Sequence, residues 1–344
     1  HQKIIMISGL TRKVVITGAT SGIGYQASLQ MIKMGHELTI VCRDNEKVKY
    51  IIERFKSDDL KENEIDKNIS FYIADLSDLI SVEEFIHTFS KKNECIDTLV
   101  LNAGLQYTGA KTIRRSRQNI ELTFAVNHLS HHFLLQGLLP SLINSDSPRV
   151  VITASEVHNP NSSGGKIGEK ASLGNLDGII KSPYFEMIDG SSDFNADKAY
   201  KDSKLCNVLF GKELFRRLSI RELKVPVICW APGLVIPKSN DGFFRYSRKY
   251  NELGQRLFAC IARDLLRITE SVENAGELLR NLAIADEYSN NSFIYLSNKI
   301  KKPGKMIFKE EPISTEACEV KKAAELWDIS NNIIINHTNT SPSL

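Results

Sequence analysis

Long apolar runs are the main thing this 344-residue sequence lacks: none reaches the roughly 18 residues that cross a bilayer as a helix. There is no excess of either charge. Lysine and arginine total 44, aspartate and glutamate 41, and the net +3 gives no basis for a nucleic-acid partner. The six cysteines (Cys42, Cys95, Cys206, Cys229, Cys260, Cys318) are scattered, with no pair at metal-ligand spacing. Most sit in apolar stretches, as small core residues do in a reducing compartment. No signal or transit peptide is evident, so a cytoplasmic setting is expected, with a chloroplast or thylakoid surface left open. What is present is an ordinary globular composition, 42% hydrophobic and 25% charged, at a length that suits one large α/β domain or two small ones.

Val14-Val15-Ile16-Thr17 is a short β-branched run that leads straight into Gly18-Ala19-Thr20-Ser21-Gly22-Ile23-Gly24, and a helical pattern (Ala27, Met31, Met34) begins at once. Glycines at a strand-to-helix turn let the backbone approach a pyrophosphate, which then sits on the helix N-terminus. Gly18, Thr20, Ser21, Gly22, Ile23 and Gly24 are therefore the candidate dinucleotide cradle. A second strand, Glu37 to Cys42, ends in Arg43, where an arginine suits a ribose 2′-phosphate and so NADP(H).

A charged helix over roughly residues 45–57 and a polar loop precede a third strand, which ends at Asp75-Leu76. Asp75 is read either as an acceptor for an adenine amino group or as a cap on the next helix. The fourth strand runs into Asn102-Ala103-Gly104, with Asn102 expected to brace neighbouring strands and line the cofactor site. His128, His131 and His132 crowd the next helix, but no carboxylate lies near them and no metal is expected. Asn127, a poor helix former inside an apolar helix, is harder to explain as packing. The fifth strand delivers Ser155 at its end without a Gly-x-Ser-x-Gly elbow, so a hydroxyl that hydrogen-bonds a carbonyl fits better than a hydrolase nucleophile.

Tyr200 and Lys204 stand four residues apart, one helical turn above each other. A phenol ordinarily holds its proton to about pH 10, and an ammonium one turn away is expected to favour the phenolate and bring the group into the working range. The pair alone is common on amphipathic helices.

Together these residues resemble the short-chain dehydrogenase/reductase family. Thr17-Gly18-x-x-x-Gly22-x-Gly24, Asn102-Ala103-Gly104, Asn127, Ser155, Tyr200-x-x-x-Lys204 and Pro232-Gly233 fall in the family's order over roughly residues 12–235. The resemblance implies a three-layer, doubly wound Rossmann fold of class α/β with a mostly parallel sheet and a helical substrate lid. It also implies an Asn127–Ser155–Tyr200–Lys204 tetrad. Tyr200 would be the proton donor or acceptor, Ser155 would hold the substrate oxygen, Lys204 would bind the nicotinamide ribose, and Asn127 would seat a relay water. Pro232 and Gly233 would complete the cofactor site.

Within the family the sequence looks most like light-dependent protochlorophyllide reductases, with retinol-dehydrogenase-like enzymes next. The stretch Tyr200 to Asn207, the segments Lys170–Leu176 and Met187–Gly190, and the 44 residues between Ser155 and Tyr200 carry that likeness. It implies a large apolar small-molecule substrate and leaves a homo-oligomer open. One departure matters: where those reductases place a cysteine after Pro232-Gly233, this chain has Leu234, which has no proton to give, and Pro237 replaces the usual carboxamide-binding threonine, with Ser239 a substitute. Light-driven pigment reduction, dark reduction of a related flat or isoprenoid substrate, retinoid-type carbonyl reduction and a non-catalytic NADP-binding role all remain open at this point.

The domain expected is a single one over 12–328, after an extension at 1–11 and before a frayed tail at 329–344. A basic, aromatic stretch at about 238–268 is expected to be the lid, with peripheral membrane contact as a second reading.

Overall fold

The computed structural model describes residues 10–92, 94–236, 269–302 and 304–344. The expected lid, with Pro237 and Ser239, and most of the N-terminal extension lie outside the described residues.

Among the described residues eight strands form one sheet in the order β3-β2-β1-β4-β5-β6-β7-β8. They are β1 (Lys13–Thr17), β2 (Glu37–Cys42), β3 (Ile69–Ile73), β4 (Thr98–Leu101), β5 (Arg149–Thr153), β6 (Val227–Ala231), β7 (Phe293–Lys302) and β8 (Lys305–Glu310). The first seven are parallel and β8 returns antiparallel on β7. The central strands are short β-branched runs because both faces are covered. Val14, Ile16, Val100, Val151 and Ile228 point into one core, while Val15, Leu99, Leu101, Val150 and Ile152 point into the other. Against the first face pack α1 (Gly22–Lys33), α2 (Asn45–Ser57) and α8 (Val272–Ile284). Against the second pack α4 (Leu79–Ser90), α5 (Leu122–Ile143), α6 (Asp177–Lys181), α7 (Ala196–Ile220) and α9 (Val320–His337). Helix α5 runs from Leu122 to Ile143 through a π-helical turn at Ala125–Leu129. This is the expected three-layer α/β Rossmann arrangement.

The strand order reverses at β1, whose neighbours are β2 and β4. Helices following the two halves leave in opposite directions there, so a crevice opens at the carboxyl ends of β1 and β4. The turn after β1 and the turn after β4 touch across it: a Cβ on Gly18, whose φ is +70°, would lie 2.7 Å from Ala103 Cα.

Three local expectations are corrected. The polar loop after α2 contains a helix, α3 (Glu62–Asn68), in which Glu64 caps the Lys61 amide. The apolar run Phe293 to Leu296 reads by itself as a last strand of four residues, but it extends to the ten of β7 and is followed by β8. The tail is not frayed: α9 continues to His337, Ile333 and Ile334 are buried, and the amides of Ser343 and Leu344 donate to Gln136 Oε1 at 3.0 and 2.9 Å. Its asparagines read as poor helix formers, but Trp327, Ile333 and Ile334 bury a continuous stripe against α5 and α7, and that packing overrides propensity.

Candidate active site

A cavity of about 1180 Å³ opens along the carboxyl edge of the sheet. All the expected cofactor residues line it: Gly18, Thr20 to Gly24, Arg43, Asp75, Leu76, Asn102 to Gly104, Pro232 and Gly233. Ser155, Tyr200 and Lys204 line it too, and Asn127 does not.

The glycine turn has the shape an anion needs. Gly22 opens α1 at φ +57°, and a Cβ there would meet no heavy atom within 4 Å, so the space in front of it is open. The cap residue Ser21 makes no side-chain bond to the first turn, and that turn carries no acidic residue. Its amides and the positive end of the helix dipole therefore face the cavity. Gly24 is required for a different reason: a Cβ would come within 2.2 Å of Gly18 O. These features fit a dinucleotide pyrophosphate. At the end of β2, Arg43 sits half exposed at the cavity with its Nε 3.0 Å from Asp44 Oδ2, while Asp44 also caps the Lys47 amide at 2.9 Å. Asp75 does not cap the next helix; Asp78 does. Oδ1 of Asp75 instead accepts from the amide and hydroxyl of Ser77, at 2.9 and 2.7 Å, where the carboxylate lines the cavity.

Asn102 ties three strands together. Its Nδ2 donates to the carbonyls of Thr17 and Gly18, both at 3.3 Å, and its Oδ1 accepts from the Thr153 hydroxyl at 3.0 Å. Trp230 Nε1 donates to that same hydroxyl, also at 3.0 Å.

Ser155, Tyr200 and Lys204 meet where β5 ends against α7. Ser155 follows β5, its carbonyl accepting from His158 Nδ1 at 2.7 Å, and its hydroxyl bonds the Tyr200 phenol. Lys204 Nζ donates to Thr153 O at 3.1 Å and lies 5.8 Å from the centre of the Tyr200 ring. Burial pulls the Lys204 ammonium down to about 8. The expected lowering of the Tyr200 phenol is reversed: burial raises it, against the opposing hydrogen bond of Ser155. With Lys204 turned to the Thr153 carbonyl, desolvation wins. Tyr200 therefore holds its proton at neutral pH.

Asn127 stands behind this group. Its Nδ2 donates to Leu105 O and Ser203 Oγ, each at 3.0 Å, and its Oδ1 accepts from the Leu105 amide at 2.9 Å. The side chain thus locks the loop after β4 to α7. The three histidines are buried partners of side chains and backbone: His128 Nε2 lies 3.0 Å from Ser330 Oγ, and His132 Nε2 lies 2.7 Å from Asn331 Oδ1. Burial lowers all three, His131 to about 3 and His132 to about 4.

Sequence reasoning missed several lining residues, among them Lys47, Gln106, Thr112 to Arg115, Glu156, Val157, Gly164 and Ile167. Lys47 stands in the first turn of α2 and Glu156 and Val157 in a short 3-10 turn; the others sit on irregular loops whose path carries no periodic signal. Glu156 alone had one, its place directly after Ser155; burial raises its carboxyl.

A family model described as short chain dehydrogenase matches residues 12–166. The protochlorophyllide reductase of Daucus carota is 30% identical over 328 residues, which span 93% of this chain and 77% of that protein. Among solved structures, an uncharacterized protein from Mycobacterium paratuberculosis superposes with a TM-score of 0.66 at 22% identity, over 98% of this chain and 97% of its own. The Pseudomonas aeruginosa RhlG/NADP active-site complex superposes at 0.58 with 21% identity, over 83% and 94%.

Proposed function

The chain belongs to the short-chain dehydrogenase family of oxidoreductases, and within it we propose a reductase that uses NADP(H) on a large apolar substrate with Tyr200 as proton donor. The observation that carries this reading is the convergence of Ser155, Tyr200 and Lys204 on one wall of a cavity whose other end is the glycine turn. Two further features support NADP(H): Arg43 at the end of β2, and the structural neighbour that is itself an NADP complex. The size of the cavity and the apolar side chains Leu105, Leu122, Val126, Ile167 and Leu234 on its wall favour a large apolar substrate, as does the likeness to protochlorophyllide reductases.

When bound, the nicotinamide supplies the hydride. Gly22 and the first-turn amides of α1 would hold the pyrophosphate, and Arg43 the 2′-phosphate. The Ser155 hydroxyl orients the acceptor group of the substrate beside the phenol. The Tyr200 hydroxyl gives up its proton there, and Lys204, charged below about pH 8, supports the phenolate that forms. Leu234 on the cavity wall offers no proton, which favours dark reduction. Tyr200→Phe should abolish NADPH-dependent reduction while leaving NADPH binding within a factor of about three, since the phenol oxygen adds little to ground-state binding. Retained turnover would refute the role of Tyr200. Assays with protochlorophyllide, in the dark and after a light pulse, and with all-trans-retinal separate the substrate readings.

A further inference from the structure

Ser155 and Tyr200 are separated by a long segment, and among the described residues its stretch from 159 to 176 contains no helix or strand. Yet Gly164 and Ile167 of this stretch form a wall of the cavity, next to Glu156 and Val157. Its own turns hold it in part, Lys166 N donating to Ser162 O at 3.2 Å and Ser162 Oγ to Glu156 O at 2.8 Å, but a wall with no ladder needs further support from something rigid. That support is α7, the helix that carries Tyr200.

Lys201 makes the connection. It is 3% exposed, and its Nζ donates to the carbonyls of Ile167 and Glu169, the latter at 2.7 Å, while pairing with Asp197 Oδ2 at 2.8 Å. All three ammonium protons are therefore spent. Gly168, at φ +64°, lets the loop descend onto the helix: a Cβ there would lie 3.3 Å from Asp197 Oδ2 and 3.9 Å from Lys201 Nζ. A second clamp lies beyond the first. Asp202 Oδ1 accepts from the Ser172 amide at 2.9 Å, and Lys198 Nζ joins Ser172 O, Asp202 and Asp189 at 2.7, 2.6 and 3.0 Å.

We propose that Lys201 is a positioning residue that fixes the 164–169 wall of the cavity and so sets the affinity for the apolar substrate without entering the chemistry. The residue before it in the sequence, Tyr200, faces the cavity; Lys201, about 100° round the helix, holds the loop that shapes it. Placing both on consecutive positions of one helix makes the distance between the reactive phenol and the substrate wall a fixed quantity.

The proposal rests on the reading of the cavity as a substrate site, so its test includes a measurement that needs no substrate. Lys201→Met leaves two carbonyls without their donor. In the full-length chain, hydrogen exchange of the amides at 164–169 should accelerate about tenfold or more, while amides in the middle of α7 keep their wild-type rates. With protochlorophyllide or retinal, whichever the wild type reduces, KM should rise about tenfold and kcat should stay within a factor of about three, with NADPH affinity unchanged. Lys201→Arg, which keeps the charge and the donors, should restore most of the protection. Asp197→Asn, which only loosens Lys201, should give a smaller effect in the same direction and serves if Lys201→Met does not fold. Unchanged exchange at 164–169 in both variants would overturn the proposal, as would a fall in kcat with KM unmoved. If neither compound is reduced by the wild type, the functional reading fails while the exchange result still decides the role of Lys201.

Discussion

Thr17 Oγ1 and His131 Nε2 lie 2.9 Å apart, joining the strand that opens the glycine turn to the helix that carries Asn127. The same Thr17 oxygen accepts the amides of Asn102 and Ala103, both at 3.0 Å. Its two lone pairs are thereby used, so its proton goes to Nε2 and His131 carries its own proton on Nδ1. That nitrogen donates to the Asn127 carbonyl at 3.1 Å, in the π-helical turn. One chain of bonds therefore fixes the turn after β1, the turn after β4 and the helix behind the active site.

Thr17→Val keeps the shape of the side chain and removes this junction. Two partly buried amides lose their acceptor and His131 loses its donor, which should destabilise the fold by about 2–4 kcal/mol. Denaturant unfolding measures the loss; a change below about 0.5 kcal/mol would mean that the junction is replaceable by water.

Gly22→Ala and Gly24→Ala should fail in different ways. At Gly24 the added methyl would run into Gly18 O and Asn102 Nδ2, at 2.2 and 2.6 Å, so the turn itself must move and stability should drop sharply. At Gly22 the methyl meets only open space, at a left-handed backbone that costs about 1–2 kcal/mol. There the main effect should be on the cofactor, with the NADPH dissociation constant rising about a hundredfold as the pyrophosphate is pushed off the amides. Fluorescence titration of both variants beside their melting curves separates the two cases.

Activity should fall as pH rises above about 8. Burial leaves Lys204 easier to deprotonate than an ordinary lysine, to about 8, and a neutral amine no longer supports the phenolate. Lys204→Arg stays charged in this range, so whatever rate survives should lose that alkaline limb. The pH dependence of kcat for the two proteins is the measurement, and an identical limb in both would place the titration elsewhere.

Acid should unfold the protein well above the carboxylate range. His131, His132 and His158 are held neutral by burial, their values lowered from 6.5 to about 3, 4 and 4. A histidine lowered on folding binds fewer protons in the folded state, so its contribution is complete above about pH 6.5 and is lost as pH falls toward the folded value. At about pH 5.5 the three together contribute a loss of about 4 kcal/mol, about a third of it from each. Melting temperature should therefore fall steeply between about pH 6.5 and 4.5, and His132→Gln should flatten the slope; a flat profile would show that these rings are protonated in the fold.

Much of the site was legible in the sequence because each element announces itself locally. Val14 to Thr17 ending in glycines, Asn102-Ala103-Gly104 after a strand, and Tyr200 one turn from Lys204 are short-range patterns, set by what a strand end, a tight turn or a helix face requires. The tail misread as frayed had no such sign, because what orders Ile333 and Ile334 is a groove made by helices far away in the chain. The wall from Gly164 to Ile167 is irregular backbone, and its anchor at Lys201 lies more than thirty residues on.

The sequence by itself therefore determined the alternation of strands and helices, the glycine turn and the residue types brought to the carboxyl edge of the sheet, since these follow from periodicity and backbone geometry. Only the tertiary structure decided how those groups behave. It turned Lys204 to the Thr153 carbonyl, left burial to raise Tyr200, and set Asn127 behind the cavity rather than in it. Burial and the direction of a hydrogen bond are properties of the packed chain, and both depend on residues brought together from distant parts of the sequence.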